Sequence, residues 1–137
     1  MELGPLRSNV ERMVRSYIDA TVEIVPSVDE WCALFLPGVH FPEWHTSPIA
    51  RAIWRCPNEP NRILLQSSLH VSSFTDRLLA LRMSNLSRAE FPIHDEWTYV
   101  KHLVLHEVAH VKHNWDQTHE RECDEWAFEE LPKWSET

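Results

Sequence analysis

The chain has 137 residues, 43% of them hydrophobic, with seven Trp and only two Gly, the size and make-up of one globular domain over 1–137 and not of a fibrous or disordered protein. Its formal net charge of -8, from 21 acidic and 13 basic residues, repels phosphate backbones and argues against nucleic acid as a partner. No stretch approaches the roughly 18 apolar residues of a membrane span, and the N-terminus MELGPLRSNVERMVRSY lacks the apolar core of a secretion signal. The expectation is a soluble, cytoplasmic protein with no membrane partner. Cys32, Cys56 and Cys123 form no CxxC pair, and their odd number predicts free thiols, not a disulfide framework or a cysteine-rich zinc knuckle.

Residues 8–21, SNVERMVRSYIDAT, open with cap-type residues and repeat Val10, Met13, Val14, Tyr17 and Ile18 at the period of a helix face, predicting an amphipathic helix. SVDEWCALFLPG predicts a second short helix, capped by Ser27 or Asp29 and stopped by Pro37-Gly38. VHFPEWHTSP reads as loop. IARAIWRC and NRILLQSSL flank the turn formers PNEPN, so the pair predicts two antiparallel strands. SSFTDRLLALRM, with Phe74, Leu78, Leu79, Leu81 and Met83 behind a Ser cap, predicts another helix. Asp95 then caps a long helix over about 96–113, and a last helix runs over about 118–131, stopped by Pro132. Few strands among several helices is an α+β arrangement.

The chemistry concentrates on the last two helices. HEVAH, residues 106–110, is an HExxH motif, which on a helix puts two imidazoles one turn apart on one face, within reach of one tetrahedral ion. Glu107 then lies beside the ion's open position, where it can take a proton from bound water. In a chain with nine His the bare pattern carries limited weight. The apolar setting of Leu103, Val104, Leu105, Val108, Ala109 and Val111 adds to it, because a metal-bearing helix must be buried.

Catalytic zinc sites use three protein ligands plus water. Candidates for the third are His113, Asp116, His119, Glu120, Glu122 and Glu125. His113 follows on the same rigid helix and is set aside. The metzincin spacing fails, because His113 and Asp116 occupy the positions it reserves for Gly and His. Glu120 and Asp124 share a face of the last helix and could supply one ligand and one carboxylate that holds a ligand histidine's ring N–H; Glu122 points elsewhere. His119 remains the main rival to Glu120.

HEVAHVKH followed by ERECDEWAFEELP resembles the ImmA/IrrE family of small zinc metallopeptidases, which pair HExxH with a downstream E-x-x-A-[D/N]-x-[F/W]-A-x-x-L-x-P-like helix. The resemblance places His106 and His110 on the metal histidines, Glu107 on the catalytic glutamate and Glu120 on the metal glutamate. Asp124, Trp126, Ala127 and Pro132 match the rest, and Cys123 replaces the usual Ala. It covers about 35 residues, and the step from His110 to Glu120 is short for the family. What it implies is a small zincin-like domain of the glutamate type that binds Zn2+ and cuts a protein or peptide substrate, in this family a regulatory protein. The family's fused helix-turn-helix domain has no counterpart in the chain.

Such a site would hydrolyse a peptide bond with metal-activated water and Glu107 as general base. His70, His94 and Tyr99 are candidate donors to the oxyanion, and the strand NRILLQ could pair with an extended substrate. A different class of function remains open: a catalytically inactive zincin-like metal-binding protein that binds or inhibits a protein partner. His102 and His113 extend the HExxH face and read as supporting or surface residues. The remaining acidic run of the last helix reads as a solvated face, and the Trp residues as packing.

Overall fold

The computed structural model describes residues 1–36, 49–70 and 95–137. The expected loop VHFPEWHTSP falls outside them, and so do the helix expected in SSFTDRLLALRM, the stop at Pro37-Gly38, and His94. The described residues form a mixed α+β structure: a three-stranded sheet and four α-helices with short 3-10 turns.

Helix α1, Arg7–Arg15, follows a 3-10 turn at Gly4–Leu6 and buries Val10, Met13 and Val14. It stops short of the predicted end at residue 21. The Ser16 hydroxyl donates to the Arg12 carbonyl at 2.7 Å, a side-chain bond that competes with helix continuation. Thr21–Val25, TVEIV, is then drawn into strand β1, where its β-branched residues fit better than in a helix. Tyr17 and Ile18 still pack on the core, but from the connecting turn. Helix α2, Val28–Phe35, is capped by the Ser27 side chain, which accepts from the Glu30 amide at 3.2 Å.

Strands β2, Ala50–Ile53, and β3, Arg62–Gln66, pair antiparallel with Ala52 opposite Ile63. β1 pairs with β3 in parallel, Val22 opposite Ile63, so the order is β1-β3-β2. This corrects the expectation that NRILLQ offers an edge to substrate. β3 has a neighbour on each side, and both its faces are covered, Ile63 and Leu65 by the main core and Leu64 by Val28 and Cys32 of α2, so all three are fully buried. Among the described residues β2 is the strand of that pair with an outer edge.

Helix α3, Glu96–His113, begins where Asp95 accepts the Thr98 amide at 2.6 Å, a side-chain cap of the kind that satisfies otherwise orphaned helix N–H groups. It ends at Asn114, whose φ of 55° is the left-handed stop that Asn tolerates better than most residues. Packed between β2 and α1 and the following helix, α3 is buried almost all round, its polar Thr98, Lys101, His102, His106 and His110 included. After a 3-10 turn at Gln117–His119, helix α4 runs Glu120–Glu130 and lays Cys123, Ala127 and Phe128 against α3. Leu131 and Pro132 open a closing 3-10 turn. Among the described residues no helix is long and apolar enough to cross a membrane.

Two substitutions gauge this framework. Leu65→Ala in the central strand, where the side chain is fully buried, is expected to cost about 2–5 kcal/mol. Asp95→Ala, which removes the cap, is expected to cost about 1 kcal/mol. Urea unfolding of both variants checks this, and a Leu65→Ala loss no larger than the cap's would contradict the burial of β3.

Candidate metal centre

His106 and His110 stand one turn apart on α3, ring centroids 5.0 Å apart, 8% and 4% exposed. The Glu120 carboxylate, at the start of α4, faces both: Oε2 is 2.8 Å from His106 Nε2 and Oε1 is 3.1 Å from His110 Nε2. The structure therefore brings His106, His110 and Glu120 together. It does not bring the rival ligands. His119 instead lies 3.2 Å from Asp116 in a surface cluster with Thr118. His113 stacks on Trp115 at 4.3 Å, Glu125 pairs with Arg121, and Glu122 is exposed.

The other nitrogen of each ring is already committed. His110 Nδ1 lies 2.6 Å from the Trp115 carbonyl oxygen; a carbonyl only accepts, so Nδ1 carries the hydrogen. His106 Nδ1 lies 2.6 Å from Asp124 Oδ1. Its neighbouring histidines hold the Asp124 carboxyl well below the usual carboxylate range, so it is ionised and accepts as well. Both Nε2 atoms are then bare lone pairs in the neutral rings, and both point at an anion. Such contacts repel unless positive charge lies between them, in the form of protons or a metal ion.

Protonation follows this field. Burial opposes charging His106 and His110, yet hydrogen bonds overcome it. Asp124 and Glu120 carry His106 well above its ordinary value. Cys123, Glu120 and the nearby Glu107 carry His110 to about 10. Burial likewise opposes ionisation of Glu120, but the two imidazoles bring it down to about 2. Three carboxylates around two imidazoles make a cation trap.

Among the described residues two groups of three could hold a metal ion: His106, His110 and Cys123, all buried, and His102, His106 and the half-buried Asp124. They are not equivalent. An ion with bonds of about 2.0–2.1 Å to tetrahedral nitrogen or oxygen ligands keeps those atoms about 3.3 Å apart. The 2.6 Å contact of His106 with Asp124 is too short for that and is a direct hydrogen bond, the kind that orients a ligand from behind. By the same measure the contacts of Glu120 with the two Nε2 atoms, 2.8 and 3.1 Å, are hydrogen-bond distances as they stand, so the trio spaced to hold an ion is His106, His110 and Cys123, with Glu120 facing the same Nε2 atoms and Asp124 in support. His102 joins that support through Nε2, 3.1 Å from the same Asp124 oxygen, with its ring against Phe128 at 4.2 Å; its Nδ1 has no partner among the described residues.

Glu107, partly buried beside this centre, accepts the Ala52 amide of β2 at 3.1 Å, and burial raises its carboxyl. Of the expected oxyanion donors, Tyr99 is 2% exposed in the core, which removes it, and His70 is exposed beyond β3. Three participants escape the sequence reading, while His102, expected as a supporting or surface residue, takes a supporting place on Asp124. The Ala52 amide and the Trp115 carbonyl are backbone groups with no residue-type signal. Cys123 did leave one, at one turn from Glu120. Compared with protein-family models, curated proteins and solved structures, the chain matches none, so its likeness to any family rests on the residues of α3 and α4 alone.

Charge at this centre makes metal-free stability depend on pH. His110 is raised in the fold from 6.5 to about 10, so its stabilising contribution is complete below 6.5 and is lost as pH rises through about 10. Glu120 is depressed from 4.5 to about 2; its contribution is present above 4.5 and lost as pH falls through about 2. Chelator-treated protein is expected to unfold at lower urea near pH 10 than near pH 6.5, and metal-loaded protein to show less of that alkaline loss. Equal midpoints at the two pH values in chelated protein would contradict this account.

Proposed function

We propose that the chain is a zinc-dependent peptidase of the zincin type, resembling the ImmA/IrrE family, that hydrolyses a peptide bond in a protein substrate of regulatory kind. One observation carries the reading. Two buried imidazole lone pairs converge with the Glu120 carboxylate, and a further carboxylate beside them, Glu107, is tied to the outer edge of a strand.

His106, His110 and Glu120 are the proposed zinc ligands; bound zinc would lower the pKa of a water and polarise a carbonyl. The protein's own groups do the rest. Asp124 and the Trp115 carbonyl fix the two rings in the tautomer that leaves Nε2 free. Glu107 takes the proton of the attacking water and returns it to the leaving amine. An extended peptide adds to the edge of β2 through main-chain hydrogen bonds. A cavity of about 490 Å³ along that edge, lined by Arg51, Ala52, Ile53 and Trp54 and across from them by Asp116 and Thr118, supports this path. Ala52 belongs both to the cavity wall and to the contact with Glu107, so the edge and the base meet at one residue.

Metal analysis of purified protein is expected to find about one zinc per chain, lost in His106→Ala and in His110→Ala; absence of stoichiometric metal overturns the reading. Glu107→Gln is expected to keep the zinc and lose at least about a hundredfold of peptide hydrolysis, while retaining uncut substrate in a pull-down. A Glu107→Gln protein with its biological effect intact would make the chain a metal-dependent binding protein instead.

A further inference from the structure

Cys123 stands where the ImmA/IrrE-like pattern has Ala, and the structure makes it more than a filler. It is fully buried and lies one helical turn after Glu120. Its sulfur and one ring nitrogen from each of His106 and His110 are all within 4.8 Å of one another. His106 and His110 are themselves more than nine-tenths buried, with Nδ1 committed outward and Nε2 aimed at the same centre. Glu120 differs from these three in one respect: its side chain is 54% exposed.

We propose that Cys123 is itself a metal ligand, that His106, His110 and Cys123 are the permanent set, and that Glu120 is an exchangeable fourth donor. This rests on the metal-binding reading above and assigns its ligands differently. As the sulfur–metal bond forms, the thiol proton leaves to solvent. A thiolate among the ligands favours zinc over the hard ions magnesium, calcium and manganese. With Glu120 on the ion, four protein donors close the site as in structural zinc centres. With Glu120 swung into solvent, three donors and an open position remain, as in catalytic ones. The exposed carboxylate, not the buried trio, would then decide whether water or a substrate carbonyl gains access.

Cobalt(II) in place of zinc tests this in the full chain, because thiolate ligation gives a strong near-ultraviolet charge-transfer band that nitrogen and oxygen ligands do not. The band is expected in the wild type, in Glu120→Gln and in Cys32→Ala, and is expected to vanish in Cys123→Ala. Zinc affinity should fall by more than about a hundredfold in Cys123→Ala, beyond the ten- to hundredfold typical of losing an outer partner, and by less in Glu120→Gln. Cobalt bound one-to-one to the wild type without that band overturns the role of Cys123 and leaves the metal reading standing. A wild-type protein that takes up neither cobalt nor zinc overturns both.

Discussion

A lone pair aimed at a carboxylate is a repulsive contact unless a cation sits between them, and the C-terminal half of this protein holds two such lone pairs against one carboxylate. The rings cannot turn away. Asp124 holds His106 from behind and the Trp115 carbonyl holds His110, and both residues are buried on α3. Nor can Glu120 simply ionise less, because the same imidazoles hold its carboxyl low. The demand for positive charge is therefore built into the packing of α3 on α4.

Sustaining that demand takes an unusual helix. α3 carries Lys101, His102, His106 and His110 into the interior, where each polar group costs free energy unless it is bonded. Lys101 delivers its ammonium to the Trp134 carbonyl at 2.9 Å and lies over the Trp97 ring. His102 and His106 share Asp124. These bonds tie α3 to α4 and to the closing turn after it, so the polar content of the helix also fixes its orientation. The sheet contributes from the other side, placing the Ala52 amide against Glu107.

How much of this was readable beforehand depended on whether the signal was local. The bounds of α3, its Asp95 cap and the antiparallel pairing of β2 with β3 follow from periodicity, capping and turn chemistry within short windows. β1 does not emerge, because TVEIV begins only three residues after Ile18, which with Tyr17 continues a helical period, and because its partner β3 lies some 40 residues on. Strand order went unread for the same reason, so β3 was given an edge that β1 covers. At the site, residue types on one helix face were legible, whereas backbone donors and acceptors were not. Cys123 was passed over because matching a pattern turned it into a substitute for Ala, although its place one turn from Glu120 was visible in the chain.

Asn114 has a bearing on mechanics. Its left-handed backbone ends α3 and turns the chain so that the Trp115 carbonyl points back at His110. Its side-chain oxygen and main-chain carbonyl also receive Arg55, and the same side-chain oxygen receives the Trp54 indole, both from just beyond β2. One residue thus rivets the end of the edge strand to the end of the histidine-bearing helix. The strand that carries the Ala52 amide and the helix that carries Glu107 are thus joined twice, at Glu107 itself and again at their ends.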